Sequence, residues 1–336
     1  EILSISLYIM AGSRKFDPRS NEAGFKYFIM GSFSTGILLL GIALIYGASH
    51  SFEIGEIAKY TLSTQPSAMY YTGMLLILVA LLFKASAVPF HFWSPDVYEG
   101  SPVLITTLMS TLVKVAAFGA LYRLLSLGFF GTLSYSEPIL ILVTAATMFV
   151  SNVIALNQNN VKRLLAYSGI SHAGYMLLAI ISVGGKTDSS LFFYATVYSL
   201  AMIGLFALVI MIFKSNHSEN VEAFNGLAKK QPIAAAFIAI FLMSLTGIPP
   251  FAGFLGKYYI FSDAFKNGYF SITLFAIFNS IIAIYYYFKI IMAMYGNPAN
   301  DKQINIHPSY WVVASICLLG VIGLGIVPDM LMQLLK

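Results

Sequence analysis

The sequence predicts an all-α fold: a polytopic bundle of transmembrane helices forming a single membrane domain. Three observations predict it. Hydrophobic residues fill 58% of the 336 positions and charged residues only 10%, with a mean hydropathy of +0.80, whereas a soluble domain carries about 25% charged residues. The apolar residues gather into ten long stretches separated by turn or charge signals. These runs are too long, and alternate too little, to be the strands of a barrel.

In chain order the stretches are 1–12, 23–47, 68–90, 103–127, 138–157, 164–184, 190–213, 232–264, 270–295 and 309–335. The first opens at Glu1 with no initiator methionine and no polar lead, so it reads as the continuation of a segment that begins upstream. The third ends in Ala87-Val88-Pro89-Phe90, and the eighth is interrupted by Gly247-Ile248-Pro249-Pro250. Proline in a helix interior removes a hydrogen bond and frees a carbonyl, that of Ala85 in the case of Pro89. Trp93, Tyr98, Tyr310 and Trp311 fall near span ends, as in an interfacial belt. Nine loop cations (Arg14, Lys15, Arg19, Lys162, Arg163, Lys214, Lys229, Lys230 and Lys302) lie on one side of the alternating topology and five on the other. That asymmetry places the loops 13–22, 90–102, 157–163, 214–231 and 296–308 in the cytoplasm.

The two proline breaks are five helices apart. An odd number of helices per repeat inverts the second copy, and matched broken segments mark the transport site of inverted-repeat membrane proteins. The expected organisation is therefore a first, partial repeat over 1–127, a second repeat over 137–295, and an additional C-terminal helix at 309–335.

Several function classes drop out. The net charge of +5 is small and spread over loops, so no nucleic-acid face is expected. One cysteine, Cys317, leaves no disulfide framework and no cysteine-ligated iron–sulfur cluster. No GxGxxG follows a strand, and neither a Walker motif nor a metal-ligand cluster occurs. The chain is expected to bind no cofactor itself.

Five cations lie inside the apolar stretches: Lys26, Lys84, Lys114, Lys257 and Lys289. A charge at the bilayer centre costs ~3 kcal/mol on insertion scales, so a retained one is a functional candidate. Lys114 is the deepest, and Thr107, Ser110 and Thr111 share its helical face; the alternative is a lysine that snorkels to the interface. Lys84 precedes Pro89 by five residues, and Lys257 follows Pro250 by seven. Lys26 has Glu22 at i−4, so a surface ion pair would also explain it. Lys289 sits near a helix end and reads as a snorkelling residue. His172, in SGISHAGY beside Ser168, Ser171 and Tyr175, is either a buried neutral histidine or a proton relay. Desolvation disfavours the charged form of a lysine and a carboxylate restores it, so a movable charge can load and unload its proton near neutral pH.

VPFHFWSPDVYEGSP, NQNNVKRLLAYSGISHAGYML and LTGIPPFAGFLGKYYIF resemble the signature stretches of the antiporter-like membrane subunits of respiratory complex I, NADH:quinone oxidoreductase. PDVYEGSP and the opening EILSISLY are most similar to the N-type subunit of the bacterial enzyme. The resemblance runs from Glu1 to about residue 300. It implies fourteen helices, of which the first four would precede Glu1, and a proton path through Glu1, Lys26, Lys84, Lys114 and Lys257. His172 matches a family histidine, and Pro89 and Pro249-Pro250 match the two broken helices. It further implies a proton-translocating subunit in the bacterial inner membrane. Its partners would be the other membrane and peripheral subunits of complex I, and NADH, flavin, iron–sulfur clusters and quinone would be handled by those subunits. The rivals are a subunit of a multi-subunit cation/proton antiporter or membrane-bound hydrogenase, and a purely structural scaffold.

Overall fold

The computed structural model describes residues 2–63, 65–182, 187–296, 298 and 306–335. Glu1 lies outside them. Among these residues the regular secondary structure is helical, joined by short turns and loops; strand-like pairing is confined to one isolated bridge, between Asn160 and Asn220. The first half comprises α1 (Ile2–Ala11), α2 (Pro18–Ser49), α3 (Ile54–Ser63), α4 (Ala68–Lys84), α5 (Trp93–Gly100), α6 (Val103–Leu108) and α7 (Lys114–Arg123). The second comprises α8 (Leu133–Leu156), α9 (Val161–Ile181), α10 (Thr187–Asn216), the single turn α11 (Leu227–Lys230), α12 (Pro232–Thr246), α13 (Ala252–Lys266), α14 (Phe270–Gly296), α15 (Pro308–Ile326) and α16 (Asp329–Leu334). Local signals start several of them: Asp17 with Pro18 for α2, Ser67 for α4, Asn160 for α9 and His307 with Pro308 for α15. These side chains accept from the orphan N–H groups of the first turn.

Seven helical segments among the described residues are long and apolar enough to cross a membrane: Pro18–Ser49, Val103–Gly128, Phe130–Leu156, Val161–Ile181, Ser189–Asn216, Phe270–Gly296 and Pro308–Ile326. Three shorter apolar helices, α1, α4 and α12, occupy other stretches. Of these, α4 and α12 are each followed by a break. The 309–335 stretch is two helices, because Pro328 cannot continue α15.

α9 is the hub. Every residue in it except Arg163 is buried, and α5, α7, α8, α10, α13 and α14 pack around it. A helix without a polar face belongs in the interior of a bundle. Its tyrosine, serine, histidine and lysine side chains are therefore held inside the protein.

The breaks are built differently from the expectation. α4 stops at Lys84, Ser86 takes a left-handed conformation (φ 60°), and the helix resumes at Trp93. Pro89 is exposed and lies beyond the end of the helix, so it does not act by freeing the Ala85 carbonyl. The carbonyl left over is that of Phe83, which accepts from Ser86 N and from the indole N–H of Trp93, both at 3.0 Å. Trp93 and Tyr98 are accordingly core residues rather than interfacial ones, 2% and 1% exposed. α5 folds the 90–102 segment back against α2 and α9, and Trp93 stacks on Tyr27 at 4.7 Å.

At the second break Gly247 takes φ 91°, with Gly247 N on Ser244 O and Ile248 N on Met243 O, each at 3.0 Å. This is the Schellman arrangement that closes a helix C-terminus. Pro249 and Pro250 then bar continuation until α13 starts at Ala252. Gly247→Ala should cost about 1–3 kcal/mol, because a side chain resists this backbone conformation, and its Cβ would meet Lys257 Cδ at 3.0 Å. Gly268→Ala is the control: its φ is 89° but it has open space. Both substitutions should lower thermal stability, and only Gly247→Ala should also disturb a function that depends on Lys257.

Candidate proton-transfer site

Lys114 and Lys257 are the most deeply buried of the singled-out cations, 1% and 4% exposed. Each ammonium is held by a main-chain carbonyl. Lys114 Nζ donates to Gly169 O on α9 at 2.6 Å. Lys257 Nζ donates to Thr246 O at 2.7 Å and to Ser280 Oγ of α14 at 2.9 Å. Thr246 is the last residue of α12, so the ammonium caps the negative end of a half-helix. A buried ammonium needs such partners, since desolvation costs several kcal/mol per ion.

Gly169 makes the Lys114 contact possible. A Cβ there would lie 3.1 Å from Lys114 Nζ and 2.9 Å from the Tyr198 hydroxyl. The polar stripe read from Thr107, Ser110 and Thr111 does not solvate Lys114. Those hydroxyls donate to carbonyls of their own helix, Val103 O and Thr107 O, at 2.7–2.9 Å. Back-bonding of this kind to the carbonyl three or four residues earlier is the usual recourse of Ser and Thr within a helix; in addition, Met109–Val113 widens into a π-turn directly before Lys114. Such turns shift the register of the following side chains and often occur at functional sites.

Between the two lysines lies His172, 3% exposed. Its Nδ1 is 2.5 Å from the Tyr194 hydroxyl and its Nε2 is 2.9 Å from the Tyr287 hydroxyl. Tyr287 in turn hydrogen-bonds Ser168. The Tyr198 ring is 4.9 Å from the His172 ring and 5.8 Å from Lys114 Nζ. On the other side the Tyr175 ring is 5.9 Å from His172 and 5.0 Å from Lys257 Nζ. A neutral imidazole donates through one nitrogen and accepts through the other. Flanked by two hydroxyls, His172 can exchange tautomers and pass a proton across its ring. Tyr194, Tyr198, Tyr287, Ser280 and Gly169 were not singled out from the sequence. The available signal was the Tyr194/Tyr198 pair one turn apart in an otherwise apolar span.

The remaining candidates sit outside this axis. Lys84, at the end of α4, donates to Ser4 Oγ of α1 at 3.1 Å. Glu1, the first member of the implied path, falls outside the described residues. Lys26 is 39% exposed at its side chain and pairs with Glu22 Oε1 at 2.6 Å and Asp96 Oδ2 at 2.9 Å. Asp96 also binds Arg163 at 2.7 Å, and Arg163 binds Glu99 at 2.9 Å. Burial works against ionisation of Asp96, but its hydrogen bonds to Lys26 and Arg163 outweigh it and hold the carboxyl below its usual range. Lys162, read from the sequence as a loop cation, is 1% exposed, with Glu219 Oε1 at 2.8 Å and Ser101 O at 3.0 Å. Lys289 reaches Gln158 O at 3.0 Å and Asn159 Oδ1 at 2.7 Å, the position of a snorkelling end-of-helix lysine.

Two cavities adjoin these groups. One of about 540 Å³ opens between α13 and α14 and reaches Lys257, with Thr246, Ser262 and Ser280 among mainly apolar walls. Another, of about 240 Å³, lies at Lys26, Asp96 and Arg163.

Residues 1–283 match the family described as NADH:quinone oxidoreductase/Mrp antiporter, transmembrane. The chain belongs to this family. Within this antiporter family, NADH-quinone oxidoreductase subunit N of Cytophaga hutchinsonii is 47% identical over 339 residues, covering 99% of this chain and 73% of the relative. Subunit N of Flavobacterium psychrophilum is 42% identical over 335 residues, covering 100% and 73%. A chain of respiratory complex I from Thermus thermophilus superposes with a TM-score of 0.85 at 34% identity, covering 98% of this chain and 72% of that one. A chain of the Mrp complex from a Dietzia species superposes at 0.90 with 23% identity over 99% and 70%, a likeness of fold alone. The helical membrane architecture and the multi-pass membrane location follow from this membership together with the seven spans.

Proposed function

We propose that this chain is a proton-translocating membrane subunit of NADH:quinone oxidoreductase, of the N type, working in a bacterial inner membrane. The observation that carries the reading is the pair of buried lysines, each held by a carbonyl, with His172 and its tyrosines between them. Protons would enter near Lys26 and Lys84, load Lys114, cross through His172 and reach Lys257. Hydrogen bonds conduct protons and ring contacts do not, so the gaps beside Tyr198 and Tyr175 call for moving water. The Tyr198 hydroxyl, buried and without a protein partner among the described residues, is available to bind it. Nicotinamide, flavin, iron–sulfur and quinone chemistry would reside on other membrane and peripheral subunits of the complex, with no cofactor in this chain. The inverted repeats over 1–127 and 137–295 would place Lys114 and Lys257 in equivalent halves.

Inverted membrane vesicles test the reading. Lys257→Ala should leave the complex assembled and lower the protons moved per NADH oxidised. An unchanged ratio would sink it. The rival reading, a cation/proton antiporter subunit, predicts that replacing sodium by potassium abolishes transport; the reading adopted here predicts no change.

A further inference from the structure

A cavity larger than the two at the lysines lies away from the lysine axis, and its chemistry is that of an amphiphile site. It measures about 1090 Å³ and is formed where the end of α10, the start of α15 and the α1–α2 loop meet at one end of the bundle. Arg19, Lys214, His217 and His307 line it. Glu99 and Glu219 also face it; Glu219 is paired with Lys162 at 2.8 Å, and Glu99 shares Arg163, at 2.9 Å, with Asp96, so three lining cations, Arg14, Arg19 and Lys214, stand against two acids already engaged elsewhere. Arg14, which lines it too, is shared with Asp17 only at 3.8 Å. Arg19 and Lys214 are exposed and have no ion-pair partner among the described residues, so the cavity presents unbalanced positive charge. Ile210, Met211 and Phe213, on the last turns of the α10 span, and Val103 give it an apolar wall. Tyr310, an amphipathic ring, also lines it.

Cations beside an apolar wall at a helix end match a phosphodiester joined to acyl chains. Basic pockets between transmembrane helices bind anionic headgroups for this reason. A soluble anion would have no use for the apolar wall, and an acidic protein segment none for a wall that descends along a membrane span. We propose that this cavity binds an anionic phospholipid, its phosphate between Arg19 and Lys214 and its acyl chains along α10.

The test uses the complete complex reconstituted into phosphatidylcholine bilayers containing photoactivatable phosphatidylglycerol. Crosslinked peptides should map to residues 210–217 and 306–311. Unlabelled phosphatidylglycerol should compete, and inorganic phosphate and glycerol phosphate should not. Lys214→Gln and Arg19→Gln, both at exposed positions, should each reduce labelling by about fivefold, the size expected for one cation at a membrane surface. Equal labelling by a photoactivatable phosphatidylcholine, labelling unchanged in both variants, or competition by inorganic phosphate would overturn the proposal. So would a neighbouring subunit crosslinked at these peptides in place of lipid. Since labelling is read without turnover, its failure is distinct from any failure of the proton path.

Discussion

Lys114→Ala should yield a complex that assembles, reduces ferricyanide from NADH at the normal rate, and pumps poorly. The substitution removes a cation that, among the described residues, Gly169 O and the Tyr198 face hold, and it leaves an apolar helix intact. The peripheral redox reaction, measured with ferricyanide, bypasses the membrane subunits and should not change. Proton-coupled quinone reduction should fall by about tenfold or more, the scale of a lost proton-transfer group. Lys114→Arg should fail as well, because a guanidinium keeps its proton at any accessible pH. It would also have to fit a planar fork against the Gly169 backbone, where even a Cβ comes within 3.1 Å of the lysine nitrogen. A wild-type proton-to-electron ratio in Lys114→Ala would make this lysine structural and move the path elsewhere.

The second large effect is on stability. Glu219→Ala should destabilise the protein by about 3 kcal/mol, because it strands the Lys162 ammonium, 1% exposed, with a single carbonyl at 3.0 Å. Glu219 is 25% exposed at its side chain, so some water enters and the cost sits at the low end of the 3–5 kcal/mol range for a broken buried pair. The measurement is the thermal midpoint of the purified complex. Lys162→Met combined with Glu219→Ala should recover most of the loss, since replacing both charges removes the desolvation penalty along with the attraction. If the single substitution leaves the midpoint unchanged, Lys162 is solvated and the pair does not hold α9 to the 214–221 segment.

Lys114, Lys257 and His172 were legible in the sequence because insertion into a bilayer makes a mid-span polar group conspicuous against its apolar neighbours. Both breaks were legible too, through Ser-Ala-Val-Pro-Phe and Gly-Ile-Pro-Pro-Phe. What they do was not. Helix α4 ends at Lys84 because Ser86 turns left-handed and Trp93 folds back to cap Phe83, an event that depends on packing of α5 against α2 and α9. The π-turn before Lys114 is likewise invisible to a reading that assumes 3.6 residues per turn.

The sequence by itself determined the solvent this chain lives in, the helical class, the positions of the helix breaks and several of the ionisable groups held inside the apolar stretches. Each of these is a local property: transfer cost, periodicity, or the geometry of proline and glycine. Only the tertiary structure decided which groups meet. Lys114 finds Gly169 across 55 residues, His172 finds Tyr287 across 115, and Arg163 finds Asp96 across 67. Composition cannot encode such pairings, because a tyrosine destined for a hydrogen bond and one destined for a membrane interface look alike until a second helix is laid beside them.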